Sequence, residues 1–423
     1  MKKVKLHEVA DINKSNFDFT KVNRVFYLDT SNVVDGNFIE LQKFDEKEYS
    51  SLPSRAKRAV KKGTTVISTV RPNLKHYGYF ADNSCDVVVS TGFATVDGKK
   101  EKIDSRYLYY ILSSIHTTNY LVAMATTSTS SYPSYTPDIL KNMEIEIVSD
   151  LPTQQRIAKV LSTIDAKIAN NNAICAELEA MAKQLYDYWF VQFDFPDKNG
   201  KPYKSSGGKM VYNETLKREI PEGWEVGNLK QCIKHVNTGL NPRNNFVLGN
   251  GKIKYVTVKN ITENSLLDFT NCDTIDEIAR KKVHNRSDIQ IGDILFASIA
   301  PLGRCYLVKD EPSDWDINES VFSIRPNIAV VSSEYLLMCL TDEYFIKKAT
   351  NSAEGSIFSG IRINTLENMP ILLPSKNILK NFSLQLRLLL GKKELCFKED
   401  IQLIALRDFL LPMLMNGQVE VKA

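Results

Sequence analysis

Residues 152–190, PTQQRIAKVLSTIDAKIANNNAICAELEAMAKQLYDYWF, lie near the middle of the chain and repeat apolar residues along one seam. Steps of four and three residues connect Ile157, Leu161, Ile164, Ile168, Asn171, Cys175, Leu178, Ala182, Leu185 and Trp189. This heptad spacing continues without Gly or Pro after a start signal at Pro152 and Thr153. The pattern predicts a helix about 50 Å long whose narrow seam requires a partner helix. Asn171 either fixes the register of that pair or lies in a solvated turn.

The composition is that of a globular protein large enough for two or three domains. The chain has 423 residues, of which 43% are hydrophobic and 25% are charged. The sequence has no run of about 18 apolar residues, so we expect no membrane span. No apolar segment follows its N-terminal lysines, so we expect no export signal. Its seven cysteines stand apart, without a C-x-x-C pair, which favours the reducing cytoplasm.

The overall charge is nearly balanced, so any nucleic-acid surface must be local. Lys and Arg number 54 against 50 Asp and Glu, a formal net charge of +4. Two basic clusters qualify: RAKRAVKKG with Arg55, Lys57, Arg58, Lys61 and Lys62, and RKKVHNR with Arg280, Lys281, Lys282, His284 and Arg286. A charge run is usually a solvated face, but both clusters precede a glycine that opens an apolar strand. Because the two clusters occupy the same position relative to these strands, we expect them to have the same role in binding.

The two apolar strands belong to an internal repeat. GTTVISTVRP from Gly63 aligns without a gap with GDILFASIAP from Gly292. Further along, SRYL at 105 matches SEYL at 333, and DILKNMEI at 138 matches NTLENMPI at 364. Three ordered matches at nearly one offset indicate a tandem duplication of a domain.

Each copy mixes short β-rich runs with a clear helix, and each is followed by a long helix. The second long helix begins near Asn377 and repeats Leu390, Phe397, Ile404 and Leu411 every seven residues. We therefore predict an α/β mixed (α+β) fold with two tandem domains and an intramolecular antiparallel coiled coil. The predicted segments are domain 1–150, helix 151–192, extended linker 193–220, domain 221–376, helix 377–416 and tail 417–423. Trp224, which follows Pro221 and Gly223, is expected to pack at the entry to the second domain.

Four segments in this order resemble the specificity (S) subunit of type I restriction-modification systems, the HsdS family. They are LPTQQRIAKVLSTIDAKI at 151, LYDYWFVQFDFP at 185, IPEGWEV at 220 and LRDFLLPMLMNGQVEV at 406. The resemblance covers nearly the whole chain. One departure is QLRLLLGKKELCFKED at 385, which lacks the Glu- and Gln-rich opening that the family has in its second helix.

The resemblance implies that the two domains are target-recognition domains, each reading one half of a bipartite sequence in double-stranded DNA. It implies that the helices set the spacing and dock methyltransferase (M) subunits, with restriction (R) subunits joining for cleavage. It further implies that this chain is non-catalytic and binds no cofactor. S-adenosylmethionine would belong to the methyltransferase subunit, and ATP and Mg to the restriction subunit.

The sequence itself argues against catalysis by this chain. An adenine methyltransferase would carry an N-P-P-[FYW]-like motif, whereas NPR at 241 lacks the second proline and the aromatic residue. GNGK at 249 does not have the spacing of an ATP-binding loop, and the five histidines are scattered without H-E-x-x-H. We expect no metal site. Asp165, which a nuclease-like motif would use, falls on the predicted coiled-coil helix.

The candidate DNA contacts are the two basic clusters and the loops that follow the duplicated strand and the duplicated helix. Lys and Arg bind phosphates, whereas Arg, Asn, Ser and Tyr can reach base edges. From VRPNLKHYGY and APLGRCY the candidates are Arg71, Asn73, Lys75 and Arg304. From TTSTSSYPSY and NSAEGSIFSGIRIN they are Ser128, Ser130, Tyr132, Tyr135, Ser356, Ser359 and Arg362. The alternative for each residue is a surface loop without a ligand.

Two other functions remain open at this level. An adaptor could use the same architecture to hold two proteins at a fixed distance, and it would not lose DNA binding steeply as salt rises. An enzyme fused to its own reader would transfer methyl groups without a partner.

Overall fold

The computed structural model describes residues 1–82, 85–126, 132–351, 360–419 and 421. The chain forms two compact units, a first unit of Met1–Asn170 with Glu399–Ala423 and a second unit of Asn171–Lys398. In the described part of the chain, no helix is long and apolar enough to cross a membrane.

The first unit begins with many short strands. They are β1 (Lys2–Lys5), β2 (Ala10–Ile12), β3 (Arg24–Leu28), β4 (Val33–Val34), β5 (Asn37–Phe38), β6 (Gln42–Asp45), β7 (Ala56–Ala59), β8 (Thr64–Ser68), β9 (Tyr77–Tyr79), β10 (Val87–Ser90), β11 (Phe93–Gly98) and β12 (Glu144–Ile147). Its helices are α1 (Leu6–Val9), α2 (Ser105–Ser113), α3 (Ile115–Thr126), α4 (Pro137–Asn142) and the start of α5 (Leu151–Tyr186). Short 3-10 helices span Phe19–Lys21, Thr30–Asn32, Glu46–Ser51 and Pro72–Leu74.

Two four-stranded sheets form the body of the first unit. One has the antiparallel order β2-β11-β8-β9, and the other has the order β6-β3-β10-β7, in which β3 and β10 run parallel. The strand β8 is buried along its whole length because it is a central strand of its sheet. A buried cluster that includes Leu28, Val66, Val89 and Phe93 unites residues of both sheets.

The second unit repeats this arrangement. Its strands are β13 (Met210–Asn213), β14 (Arg218–Pro221), β15 (Glu225–Asn228), β16 (Ile233–Thr238), β17 (Ile253–Val256), β18 (Asp273–Ile275), β19 (Ile294–Ala297), β20 (Cys305–Leu307), β21 (Trp315–Ile317), β22 (Val321–Pro326) and β23 (Pro370–Leu373). Its helices are α6 (Leu229–Cys232), α7 (Glu277–Ser287), α8 (Ser333–Thr341), α9 (Glu343–Asn351), α10 (Ile363–Glu367) and α11 (Lys376–Met415), with a 3-10 turn at Val258–Asn260.

The strand order confirms the internal duplication. The sheet β16-β22-β19-β20 corresponds to β2-β11-β8-β9, and β18-β17-β21 corresponds to β6-β3-β10. The pair β17 and β21 is parallel, as is the pair β3 and β10. The connection that leads to the duplicated strand differs, since the second unit has helix α7 where the first has the short 3-10 helix Glu46–Ser51 and strand β7. The two basic clusters therefore lie on different secondary structures.

The two long helices pack antiparallel within each unit. In the first unit, Asp165 of α5 meets Arg407 of α11 at 3.2 Å, and Lys167 meets Glu399 at 3.1 Å. In the second unit, the Cys175 thiol lies 3.5 Å from the Lys393 carbonyl, and the Phe190 and Phe382 rings are 4.8 Å apart. Residue numbers rise along α5 as they fall along α11. The predicted fold class is confirmed.

The seam predicted on α5 is largely buried. Ile157, Leu161, Asn171, Leu178 and Trp189 are buried, while Ile164, Ile168 and Leu185 are half-buried. A single turn of wider helix, Asp187–Val191, extends α5 beyond Tyr186. Asn171 therefore lies on the inward face, which disfavours the solvated-turn alternative.

The seam predicted on α11 is displaced from the actual centre of contact. Ile404 is exposed, and Leu390, Phe397 and Leu411 are only half-buried. The most buried line runs through Leu379, Leu386, Lys393, Asp400, Arg407 and Leu414, seven residues apart, of which Arg407 is the least buried. Three charged residues occupy this line, so a search for apolar heptads cannot find it.

The linker between the first long helix and the second domain is more structured than predicted. Strands β13 and β14 form a hairpin within residues 210–221. Trp224 is buried and stacks on Phe195, with ring centroids 4.9 Å apart, and it also contacts Phe190 and Phe193. The predicted packing role of Trp224 is confirmed.

Candidate nucleic-acid interface

Three segments of the first unit meet beside the end of strand β8. The Asp35 amide donates to the carbonyl of Lys75 at 2.9 Å, which joins the β4–β5 turn to the loop after β8. On the other side of that loop, the Arg71 amide donates to Pro133 at 2.8 Å, and the Tyr135 amide donates to Thr69 at 3.0 Å. We call segments 30–39, 69–76 and 132–135 the first loop cluster.

The middle segment has an unusual backbone that directs its polar side chains outward. Arg71 and Lys75 both have left-handed conformations, with φ of 49° and 53°, on either side of the turn Pro72–Leu74. Pro72 is buried, whereas Arg71, Asn73 and Lys75 are exposed. Left-handed backbone is unfavourable for residues with a Cβ and is often found at functional sites.

The structure brings together two of the predicted residues, Arg71 and Tyr132. The Arg71 guanidinium lies 4.5 Å from the centre of the Tyr132 ring, whose residue is 57% exposed. Such a cation–π contact restricts the orientation of the guanidinium while leaving N–H donors for a ligand.

Tyr135 lies in the core, which argues against its predicted role in contacting DNA. Its hydroxyl donates to the carbonyl of Ser68 at 3.0 Å, and burial raises the pKa of the phenol. We assign Tyr135 to holding the loop in place. Two other candidates of the same loop, Ser128 and Ser130, lie outside the described residues.

The first basic cluster is spread along β7 and the turn that follows it. The Thr91 amide donates to Arg55 at 2.8 Å, and the neighbouring Gly92 carbonyl accepts from Thr69 at 2.9 Å, so Arg55 lies at the end that carries the first loop cluster. At the opposite end of β8, the Lys61 ammonium is 3.8 Å from Asp97. Lys57 and Lys62 are exposed, whereas Arg58 is half-buried, and burial lowers its pKa. The cluster therefore does not act as a single patch.

The second unit assembles an equivalent set of three segments. Arg304, which follows the β19 loop, donates to the carbonyl of Ile261 at 3.3 Å and to Glu263 at 2.8 Å. On the other side of that loop, the Ile361 amide donates to Ser298 at 2.9 Å. Gly360 approaches so closely that a Cβ there would be 2.7 Å from the Ser298 carbonyl oxygen. We call segments 261–267, 298–304 and 360–361 the second loop cluster.

The remaining candidates of the second unit are divided between this cluster and helix α7. Arg362, the residue before α10, is exposed beside the second loop cluster, whereas Ser356 and Ser359 lie outside the described residues. On α7, Arg280 is half-buried and donates to Pro312 at 2.7 Å. Lys281 is exposed, and Lys282 is exposed and donates to the Asn245 carbonyl at 3.2 Å.

Helix α7 forms because its N-terminus is capped and one of its faces is apolar. The Asp276 side chain accepts from the Ala279 amide at 2.7 Å, and Ala279 and Val283, four residues apart, are buried. Behind the helix, burial raises the pKa of Asp316, although it accepts from Ser287 and lies 3.0 Å from His284. Its outer face presents Lys281, Lys282, Asn285 and Arg286.

The sequence analysis missed two turns of the clusters and one exposed arginine. In each domain, a turn follows the first strand of the parallel pair. In the first domain it contains Asp35 and Gly36, with φ of 47° and 85°. In the second domain it lies between Ile261 and Leu267. An Asp-Gly pair is a known turn signal and could have identified the first. The exposed Arg243, next to the Asn245 segment that Lys282 contacts, had no such signal.

The comparisons with known proteins agree with this arrangement. A sequence model described as Type I restriction modification DNA specificity domain matches residues 1–180 and 221–387. The chain belongs to this family. The two matched ranges contain the two duplicated domains, so each loop cluster lies in one DNA specificity domain.

Several relatives of the family are similar over most of the chain. It is 29% identical over 383 residues to the Type I restriction enzyme MjaIX specificity subunit of Methanocaldococcus jannaschii, covering 86% of this chain and 79% of that one. It is 25% identical over 468 residues to the HindI specificity subunit of Haemophilus influenzae, covering 98% and 99%. The crystal structure of the S subunit of a type I restriction-modification system from M. genitalium shares the fold, with a TM-score of 0.58, 16% identity and coverage of 98% and 96%.

Among the described residues, no group of three His, Cys, Asp or Glu side chains is arranged to hold a metal ion. The chemistry that the two loop clusters offer is hydrogen bonding and ion pairing. Guanidinium, amide, hydroxyl and ammonium groups are the donors and acceptors that proteins present to phosphates and base edges.

Proposed function

We propose that this chain is the sequence-reading subunit of a type I restriction-modification complex, in which residues 1–150 and 221–376 each read one half of a bipartite DNA target. The observation that carries this proposal is the duplication itself. Two domains of a DNA specificity family share one strand order but present different residues in their loop clusters. A shared scaffold with different loops is suited to reading two different sequences.

The predicted base contacts are the exposed residues of the first loop cluster, Arg71, Asn73 and Lys75, and Arg304 of the second. Arg55, Lys57, Lys281, Lys282 and Arg362 would bind phosphates, since they are exposed cations outside the centre of each cluster. Lys61 and Lys62, at the far end of β7, would make at most peripheral contacts.

The long helices would serve as the spacer and as the docking site for methyltransferase subunits. Three leucines of α11, Leu384, Leu388 and Leu395, are 66%, 72% and 69% exposed. Because they are four and seven residues apart, they form one apolar ridge along the helix. An exposed apolar ridge of this kind supports an interface with another protein.

The chemistry would be done by the partners. S-adenosylmethionine would bind to the methyltransferase subunit, and ATP and Mg to a restriction subunit. The names of the relatives, which are specificity subunits, support a non-catalytic role for this chain.

The proposal is tested by reconstitution. The chain mixed with its methyltransferase subunit and S-adenosylmethionine should methylate adenines at one bipartite sequence, as mapped by genome-wide sequencing of methylated sites. The chain alone should transfer no methyl group and should bind random duplex with an affinity that falls steeply as salt rises. Methyl transfer by the isolated chain, or salt-independent binding, would contradict the proposal.

A further inference from the structure

Arg304 is held by the turn that follows β17, the first strand of the parallel pair in the second domain. Its two terminal nitrogens donate to the Ile261 carbonyl at 3.3 Å and to the Glu263 carboxylate at 2.8 Å. The Arg304 side chain is 23% exposed, whereas that of Glu263 is 80% exposed. A partly covered arginine is thus held by a carboxylate that itself faces solvent.

The turn is anchored well enough to act as a fixed support. Ile261 and Leu267 pair as a β-bridge, and both are buried. The Thr262 amide donates to Leu266 at 2.9 Å, and the Thr262 hydroxyl accepts from the Leu266 amide at 3.1 Å. Since both ends of the turn are fixed in the core, Glu263 occupies a defined position at its tip.

The first domain holds its loop arginine in a different way. In the corresponding turn, the Asp35 amide donates to the Lys75 carbonyl and the Gly36 amide donates to the Tyr77 carbonyl of β9. The Asp35 carboxylate accepts from the Tyr77 hydroxyl and not from an arginine. The Arg71 guanidinium lies over Tyr132, and among the described residues no carboxylate forms an ion pair with it. The carboxylate support is therefore a feature of the second domain and does not follow from the shared scaffold.

We propose that Glu263 is a positioning residue that orients Arg304 for recognition of a base in the second half of the DNA target; this inference rests on the proposed function. A guanidinium has five N–H donors in one plane, and bidentate recognition of guanine requires that plane to match the base edge. Two acceptors from one rigid turn restrict its rotation. A preorganised side chain loses less conformational entropy when it binds.

A carboxylate at this position has a second consequence that separates positioning from simple attraction. Close to a DNA backbone, an exposed Glu263 repels phosphates and weakens binding to any sequence. Its removal should therefore reduce sequence selectivity while leaving the affinity for random duplex unchanged or higher. A mutation that merely destabilised the domain would reduce both quantities.

The experiment compares Glu263→Gln and Glu263→Ala with wild type, each as the full chain with its methyltransferase subunit and S-adenosylmethionine. Glu311→Gln is the matched control, because it removes one exposed carboxylate of the same domain that is not the partner of Arg304. Methylated sites are mapped by sequencing, and binding to random duplex is measured at low salt.

We expect both Glu263 variants to lose discrimination about tenfold at a position of the second half-target, with the first half-target unchanged. The Glu311→Gln variant should keep both halves. Full discrimination by both Glu263 variants, or an equal loss at both halves, would overturn the positioning role. A wild-type complex that methylates without sequence preference would instead overturn the proposed function.

Discussion

Arg407 of α11 donates to one oxygen of Asp165 in α5 over 3.2 Å, and the Tyr110 hydroxyl of α2 donates to the other oxygen over 2.5 Å. Asp165 thereby joins the two long helices to the first domain. Burial alone would lower the pKa of Arg407, but the Asp165 and Asp408 carboxylates raise it overall, so the guanidinium remains charged. The nuclease-like motif that contains Asp165 is thus explained by a structural role.

Replacing Arg407 with leucine should destabilise the first unit. The change leaves a half-buried Asp165 without one of its donors, and loss of a charge-assisted hydrogen bond costs about 2 kcal/mol. Urea unfolding followed by circular dichroism measures the effect. The matched control is Lys167→Ala, which removes the solvent-exposed pair with Glu399 on the same two helices. Exposed pairs contribute about 0–1 kcal/mol, so equal losses in the two variants would contradict the assignment.

Replacing the buried Lys393 with methionine should raise the melting temperature at neutral pH. Burial lowers the pKa of Lys393, although Glu179, 3.7 Å away, raises it. The folded state therefore releases this proton at a lower pH than the unfolded chain does. Below the folded-state pKa, Lys393 is charged in both states, and the wild type carries the whole free-energy penalty of burying that charge. Between the folded-state pKa and the usual value of 10.5, the stability of the wild type rises with pH, because only the unfolded chain still binds the proton.

The gain from Lys393→Met should consequently be largest near neutral pH and shrink as pH rises toward 10.5. Thermal melts of both proteins across this range measure the difference. Since the other titrating groups are common to both proteins, their effects largely cancel. A gain that grew with pH would show that the buried ammonium does not limit stability.

The domain scaffold can be predicted from the sequence because buried apolar residues repeat in both copies. The strand β8 and its counterpart β19 have the same register with their partners, yet their polar ends differ. Thr64 donates to Asp97 in the first domain, whereas Arg325 donates to Asp293 at the matching position in the second. Because both members of the hydrogen-bonded pair differ between the domains, the pairing is kept in the fold although the two sequences do not match at these positions.

The loop clusters and the centre of the α11 seam cannot be predicted in the same way. The contact between Asp35 and Lys75 joins residues 40 positions apart through backbone groups, which leave no period in the sequence. On α11, Lys393, Asp400 and Arg407 occupy positions where apolar residues are expected. Each charge is tolerated because partners or solvent reach it, which depends on the folded structure.

Arg71→Ala and Arg304→Ala should each alter one half of the DNA target. A bidentate contact with a base contributes about 1–3 kcal/mol of discrimination, so each change should relax one position in its own half and leave the other half intact. Methylated-site mapping of the reconstituted complex measures both halves at once. Lys61→Ala is the control, because Lys61 lies at the end of β8 away from the first loop cluster. Relaxation of the first half-target by Lys61→Ala but not by Arg71→Ala would show that the loop assignment is wrong.

Lengthening both long helices by one heptad should widen the gap between the two halves of the target. The insertions belong between Asn170 and Asn171 in α5 and between Lys398 and Glu399 in α11, where the chain passes from one unit to the other. Seven helical residues add about 10 Å, and each base pair spans about 3.4 Å, so the gap should grow by roughly three base pairs.

Rotation makes this a demanding test of the spacer. Three base pairs turn the second half-target by about 100° around the duplex, since one turn takes about 10–10.5 base pairs. Seven residues, by contrast, are nearly two full turns of a helix, so the insertion preserves the seam of the pair. An insertion in one helix alone should abolish methylation, because it shifts the seams out of register. A doubly lengthened, active protein that kept the original gap would show that the helices do not set the spacing.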